Sequence, residues 1–388
     1  MIVENVTYLF DINHKIYWGV LIATYFFYTG VSAGTFILGS LGPVFNLKRF
    51  NPIAKTASII ALIAIILAPI HLIADLAQPA RFWYLLIHFE PTSAMSYGVV
   101  LLLLFIIVQV FYTWNLFRED LAQSEKGISK FLSFGKTSLT EASIENDRKW
   151  IKRFGASGFV LAIAIEGYTG FLLANAQARA LWHTSLMPFI FLASALVSGA
   201  AILILIYSMV EKWKNHQLDS DAGKVIASVG NLLKWFIAVD GAMLIALFIT
   251  LWYGSSESYA AGYYLLKGET NSNFIYLELI AGLLIPFVIL FIPKIKTQFL
   301  WISVASLLSL VGVISMRFNF VVGGQKIPLT GQEILSYQVE SPQIVLVVII
   351  AVIAFAAMFL LFAALPMNRK FPAIEKTASI SSKGVEAK

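Results

Sequence analysis

The sequence predicts an all-α, polytopic transmembrane helix bundle of about nine spans. Of the 388 residues, 59% are hydrophobic and only 13% are charged, against about 45–50% and about 25% in soluble domains. The mean hydropathy is +0.79. Nine apolar stretches each approach the roughly 20 residues needed to cross a hydrocarbon core of about 30 Å. None alternates polar and apolar residues with the period of two that a membrane barrel requires. So much apolar surface needs lipid to cover it, which excludes a soluble globule and a disordered chain.

The stretches fall at about 16–41, 53–76, 94–117, 151–174, 185–210, 230–253, 273–292, 299–319 and 342–365, the seventh being the shortest. The N-terminal segment MIVENVTYLFDINHK has no basic region followed by a short apolar core and a cleavage site. The first span is therefore expected to serve as an uncleaved insertion signal. That span carries a run of small residues, Gly30, Ser32, Ala33 and Gly34, and the fifth carries Ser194, Ala195, Ser198 and Gly199. Such runs mark close helix packing. Asp75 in the second span and Asp240 in the sixth fall at matching offsets. Spans one to four (16–175) and five to eight (185–322) are thus expected to form two four-helix bundles of the same orientation. Residues 342–365 add a further helix and 366–388 a flexible tail. Between the third and fourth spans, Arg118 to Lys149 mixes both charges and reads as a solvated linker with short helix at most.

Lysine and arginine set the orientation. Of the 28 basic residues, 22 fall in one alternate set of loops and the tail, and 6 fall on the opposite side. By the positive-inside rule the N-terminus lies outside and the C-terminus in the cytoplasm, as an odd number of spans requires. The net charge of +6 then records topology, and no nucleic-acid partner is expected. The sequence has no cysteine, which excludes a disulfide scaffold, a thiol nucleophile and a cysteine-ligated cluster of its own. Of five histidines, His14, His71, His88, His183 and His216, only His71 lies clearly inside a span, so a bis-histidine haem is not expected. Neither a GxxxxGKS phosphate loop nor an HExxH metal motif occurs.

Ionisable residues inside membrane spans are costly and mark function by default. His71 and Asp75 stand one helical turn apart near the outer end of the second span, with Arg81 six residues on. Glu166 lies in the outer half of the fourth span, Asp240 near the middle of the sixth, Glu278 in the outer part of the seventh, and Arg317 ends the eighth. Singly, each reads equally well as an interhelical pin. Their shared skew toward the outer half points to a polar site open to the outer surface or the outer leaflet.

These residues sit among a series of short motifs in a fixed order. They are Tyr25-Phe26-Phe27 leading into Gly30 to Gly34, then Pro79-Ala80-Arg81-Phe82-Trp83, then Pro91 to Gly98. Tyr168-Thr169-Gly170, Asn175, Arg179, Leu181-Trp182, Pro188, Ser194-Ala195 and Ser198-Gly199 follow, and then Arg317-Phe318-Asn319 with Gly324-Gln325. The series, covering about 16–325, resembles the NrfD/PsrC family, the membrane subunits of polysulfide-reductase-like respiratory complexes. The resemblance implies a subunit in the plasma membrane of a prokaryote that oxidises or reduces menaquinone or a related quinone in the outer leaflet. It implies electron exchange with an extracytoplasmic ferredoxin-like iron–sulfur subunit, which connects to a molybdopterin, haem or hydrogenase catalytic subunit. No haem or iron–sulfur cluster is expected on this chain.

By position, Tyr168 matches the tyrosine of the family's quinone pocket. A first-span position that is histidine in some relatives is Tyr25, and a nearby polar position falls on apolar Ile22; Asn13 and His14, just above that span, stand in for it. Arg81 and Asp75 would line the second-span side. A quinone carbonyl gains electron density on reduction, so donors such as Tyr168, Tyr25 and Arg81 favour the reduced form. Protons must also be delivered or removed, and carboxylates relay them. Asp75 and Glu166 are nearest the inferred pocket, and Asp240 and Glu278 extend a path inward.

A secondary transporter or ion-translocating bundle is the alternative reading; inverted repeats and helices broken at the midplane would favour it. The repeat inferred here is parallel, and the polar groups lie off centre. A purely structural anchor for an outer complex is the third reading.

Overall fold

The computed structural model describes residues 16–123, 140–215, 219–268, 271–294, 298–327, 335 and 337–366. Among them there is no strand, and nine helices are long and apolar enough to cross a membrane. In chain order these are α1 (Val20–Ser40), α2 (Ala54–Asp75), α3 (Ala94–Gln123), α4 (Glu141–Ala174), α5 (Met187–Asn215), α6 (Ser220–Tyr253), α7 (Asn273–Phe291), α8 (Phe299–Lys326) and α9 (Ser341–Ala364). The expected all-α polytopic bundle is the fold observed.

Apolar residues cover these helices on every side, as buried or lipid-facing helices require, and polar signals set their ends. Thr140 caps α4, its side chain accepting from the Ser143 amide at 3.3 Å, with Glu141 in the first turn. Pro342, in the first turn of α9, costs no helical hydrogen bond. Lys212 and Lys214 occupy the last turn of α5, where cations meet the negative end of the helix dipole.

Several helices outrun the stretches that hydropathy outlines. At 34 residues each, α4 and α6 are about 51 Å long at 1.5 Å per residue, well beyond the hydrocarbon. Hydropathy reads only the part in lipid, so their polar first turns escape it. The segment from Arg118 to Lys149, expected as a linker, is for this reason largely helical where it is described. Arg118 lies on α3 and pairs with Asp147 of α4, also donating to Ser143 Oγ at 2.9 Å. The eighth helix likewise continues past residue 319 through a π-helical turn, Asn319–Gly323, to Lys326.

Within the bundle α1 and α5 are the most enclosed helices, and α3, α6 and α9 the most open to lipid. α1 packs against α2, α4, α5 and α8; α3 packs against α2 and α4; α6 lies against α5 and α7; α8 lies against α5 and α7; α9 covers α2 and α1. Ser32 Oγ donates to the Ala61 carbonyl at 2.8 Å and Gln109 Nε2 to the Ser58 carbonyl at 3.1 Å, pinning α1 to α2 and α3 to α2.

The two runs of small residues meet each other. A Cβ on Gly34 would collide with the Ala195 carbonyl, and one on Gly199 with the backbone of Gly34. Gly34→Leu is accordingly expected to cost at least about 1–3 kcal/mol, the usual penalty of overpacking. It should lower the thermal midpoint in detergent. Gly223→Ala, where an added Cβ meets nothing within 4 Å, should leave the midpoint unchanged or raise it.

The helix ends define two faces. One, here the rim, carries the start of α1, the end of α2 and the α4–α5 connection; the other, the basic end, carries the α1–α2 turn and the starts of α4 and α6.

Candidate functional site

The rim is fastened by residues from distant parts of the sequence. Gln325, on the last turn of α8, accepts from the amides of Tyr17 and Trp18 at 3.1 Å each and donates to the Trp18 carbonyl at 2.7 Å. Arg179, between α4 and α5, donates to the Gln325 carbonyl at 2.7 Å. Trp182 donates to the Phe320 carbonyl at 2.6 Å and stacks on Trp18 with centroids 5.5 Å apart. The π turn turns that carbonyl toward the indole. Much of the arginine–tryptophan and glycine–glutamine signature is therefore a clamp that holds α1, α4, α5 and α8 in register. Gln325→Leu would orphan the two amides at the start of α1. These bonds are only partly buried, so the loss is expected at the low end of the usual hydrogen-bond contribution, about 0.5–1.5 kcal/mol, and should speed limited proteolysis at the rim.

Below the clamp lies a series of buried polar groups. Tyr25 of α1 is buried and stands within electrostatic reach of Tyr168 and Glu166 of α4. The Tyr168 hydroxyl donates to the Ala94 carbonyl at 3.0 Å. Glu166 and Arg317 are fully enclosed: Arg317 Nη2 donates to Glu166 Oε1 at 2.6 Å and to the Phe191 carbonyl at 3.2 Å. The guanidinium carbon also lies 4.0 Å from the centroid of the Phe191 ring, a cation–π contact. A Cβ on Gly30 would stand 3.1 Å from Arg317 Nη2 and 3.3 Å from Glu166 Oε1. Glycine there lets α1 lie directly on the ion pair.

On the far side of Arg317, Asp240 of α6 lies within electrostatic reach of the guanidinium and of Glu278. Asp240 and Glu278 line one cavity of about 20 Å³ between α5, α6, α7 and α8, enough for a single water. Asn319 Nδ2 donates to Glu278 Oε2 at 2.7 Å. Both partners of that bond sit in π-helical segments, Asn273–Leu284 and Asn319–Gly323. Insertions of this kind recur at functional sites because they re-aim side chains. Glu166 Oε2, Arg317 Nε and Nη1, and Asn319 Oδ1 have no hydrogen-bond partner among the described residues.

A much larger cavity, about 390 Å³, opens between α1, α2, α8 and α9. It extends from the rim, at Val20, Phe318 and Val347, to mid-membrane, at Val31, Ile60 and Met358. Thr24 and Tyr28 are its polar lining. The Tyr28 ring packs on His71 at 4.9 Å; His71 is buried, with Nδ1 3.2 Å from the Leu67 carbonyl and Nε2 without a partner among the described residues. Asp75, one turn nearer the rim, is half-buried and within electrostatic reach of Tyr337. The Tyr337 hydroxyl accepts from the Val20 amide at 3.0 Å.

Tyr25, Tyr168 and Glu166 thus come together, and Arg317 joins Glu166 to Asp240, which in turn lies within reach of Glu278. Asp75 stands apart from that series at the rim end of α2, one turn from His71 and within reach of Tyr337; of these neighbours only Tyr28, packed on His71, lines the crevice itself. Arg81 is exposed on the rim surface. Asn13 and His14 lie outside the described residues. Tyr28 belongs to the arrangement without any sequence signal, whereas His71 stands out as an ionisable residue inside a span and Asn319 within the Arg317-Phe318-Asn319 motif, neither with a specific role assigned. The available signal for Asn319 is its place two residues after an arginine that, deep in lipid, needs partners. Among the described residues no three histidine, aspartate or glutamate side chains come together to hold a metal ion.

A bundle with nine candidate spans among the described residues, holding a buried polar series and an apolar crevice, is a multi-pass membrane protein. Residues 10–328 match the family described as "Polysulphide reductase, NrfD", and the chain belongs to that family. It is 31% identical over 318 residues to a selenate reductase subunit of Mesobacillus selenatarsenatis, covering 79% of this chain and 73% of the relative. It is 29% identical over 318 residues to a polysulfide reductase polypeptide of Wolinella succinogenes, covering 80% and 95%. It is 23% identical over 337 residues to the Hdr-like menaquinol oxidoreductase integral membrane subunit of Archaeoglobus fulgidus, covering 85% and 76%.

Proposed function

We propose that this protein is the quinone-reactive membrane subunit of an oxidoreductase complex. It exchanges electrons between menaquinone or a related quinone in the outer leaflet and an extracytoplasmic ferredoxin-like iron–sulfur subunit. The observation that carries the reading is the crevice of about 390 Å³. Its volume lies in the range of small-molecule sites, its walls are apolar enough for an isoprenoid tail, and its lining includes Tyr28, which packs on His71, one turn from Asp75. Quinone reduction takes up two electrons and two protons, and quinol oxidation releases them. The residues of this chain handle the protons and the positioning. Tyr28 and His71 orient the ring, Asp75 exchanges a proton with the substrate, and Arg81 lies on the surface where the partner docks. The relatives named as reductase and menaquinol oxidoreductase subunits support this assignment.

The inner polar series suits proton relay. Glu166 and Asp240 share one cation, Arg317, and Glu278 lies next to Asp240, so in a low-dielectric interior the charges of this cluster balance only when it also carries protons. Tyr25 and Tyr168 extend the series toward the first-span side of the rim. The neighbour relations of α1–α4 and α5–α8, and the equal separations of Gly34 from Gly199 and Asp75 from Asp240, support two parallel four-helix bundles, with Arg317 and Glu166 as the tie between them. The 22 to 6 split of basic residues supports a prokaryotic plasma membrane with the rim outside and the tail in the cytoplasm. The exposed aromatic stretch Phe82, Trp83, Tyr84 on the rim supports docking of the iron–sulfur subunit there; a molybdopterin, haem or hydrogenase subunit would complete the complex.

Ala351 of α9 lines the crevice, and Ala351→Trp would fill it. The variant is expected to lose co-purifying quinone and quinone-linked turnover, while turnover of the complex with a soluble dye persists. Retention of quinone at the wild-type level would defeat the placement. The π-helical pair Glu278–Asn319 gives specific support to a second reading, an ion-translocating bundle. Proton uptake by the protein alone in liposomes, without quinone, would favour that reading.

A further inference from the structure

Far from the crevice, at the basic end, a cleft of about 330 Å³ lies between the α1–α2 turn and the start of α4. We propose that it binds the phosphate headgroup of an anionic phospholipid. Lys48 and Asn51 line it from the turn, and Arg148, Lys149, Lys152 and Glu145 from α4. Four cations thus face one carboxylate, and Glu145 is already paired with Lys149 at 2.9 Å. Arg148 Nη2 is enclosed and has no hydrogen-bond partner among the described residues. It is a donor of the kind that binds phosphate oxygens.

The turn opposite Arg148 is built rather than loose. The Leu47 amide donates to the Leu41 carbonyl at 3.1 Å and the Phe50 amide to the Leu47 carbonyl at 2.9 Å. Asn46 holds a left-handed conformation at φ 59°, which asparagine tolerates better than most residues.

Location decides between a lipid phosphate and a free anion. The apolar part of α4 starts at Ile151, which itself lines the cleft, so the cleft sits at the level of the headgroups. Exposed Phe45, Leu47 and Trp150 flank it, with Phe45 packed on Phe159 at 5.0 Å. These give acyl chains an apolar surface directly below the cations. Basic pockets between helices at a membrane surface recognise anionic lipids in this way.

The test uses the full-length protein in nanodiscs of phosphatidylcholine doped with phosphatidylglycerol, with retained lipids counted by native mass spectrometry during stepwise delipidation. The wild type is expected to retain one phosphatidylglycerol in preference to phosphatidylcholine. Each cation near an anionic headgroup contributes about fivefold, so Arg148→Gln/Lys152→Gln should weaken that preference about 30-fold. Arg148→Lys/Lys152→Arg should keep most of it. Lys212→Gln/Lys294→Gln, on the same end of the bundle, should leave it unchanged. Equal losses in the two neutralising pairs would overturn the proposal in favour of diffuse surface charge. Retention of both lipids alike by the wild type would overturn it outright, as would displacement of the bound lipid by millimolar inorganic phosphate.

Discussion

Replacing Asp75 by asparagine is expected to lower quinone-linked turnover by about a hundredfold or more, the usual contribution of a positioned proton donor or acceptor. The substitution keeps the side chain's shape and removes only its capacity to hold and release a proton. Asp75 is half-buried at the rim end of α2, one turn from His71, whose ring packs on the crevice-lining Tyr28, and within reach of Tyr337. Assembly, thermal midpoint and dye-linked turnover of the complex should therefore stay at wild-type values. Tyr168→Phe should lower quinone-linked turnover less, because the Tyr168 hydroxyl already gives its proton to the Ala94 carbonyl. Normal turnover in Asp75→Asn would remove Asp75 from the mechanism.

The second large effect is on stability. Arg317→Met leaves Glu166 as an enclosed carboxylate with its partner gone, and breaking a buried pair in this way costs about 3–5 kcal/mol. Glu166→Gln should cost less, since a neutral amide oxygen still accepts from Arg317 Nη2. The double variant Glu166→Gln/Arg317→Met should recover most of the loss, because it leaves neither charge buried alone. Thermal unfolding of the four proteins in one detergent gives the comparison. If stability recovers while quinone-linked turnover does not, the pair acts in proton handling as well as in joining α4 to α8. If Arg317→Met melts with the wild type, the ion pair does not hold the bundle together.

The parts of this fold that depend on lipid were legible in the sequence, because burial in hydrocarbon demands long apolar runs and closed backbone hydrogen bonding. All nine spans follow from that requirement. Their polar extensions do not: Glu141 to Trp150 of α4 is capped by Thr140 and held by Asp147, and Ser220 to Val229 of α6 is packed through Ala222, Val225, Ile226 and Val229, and hydropathy does not report either. The ionisable residues stand out singly, since each is conspicuous in an apolar run, but their pairing depends on which helices touch. Glu166 of α4 meets Arg317 of α8, far along the sequence, where both helices pack on α1, and Gly30 leaves room there for the pair. The crevice was illegible because its walls are ordinary Val, Ile and Leu positions on four helices. Tyr28 carries no mark separating it from Tyr25, three residues earlier, which faces the α4 side instead. The rim clamp shows the converse. Arg179, Trp182 and Gln325 stand in the motif series that carries the family resemblance, and their hydrogen bonds go to backbone carbonyls and amides, so the series records packing as well as chemistry.

The central claim is that a lipid-soluble quinone is processed at the rim end of the crevice between α1, α2, α8 and α9. Photolabelling the complex with a photoreactive quinone, followed by peptide mapping of this protein, tests it most directly. Labels are expected on α1 near Thr24 and Tyr28, on α2 near His71 and Asp75, and on α9 near Ala351, all displaced by excess unlabelled quinone. Displaceable labels confined to α3, α6 or α7, with none on α1, α2 or α9, would contradict it.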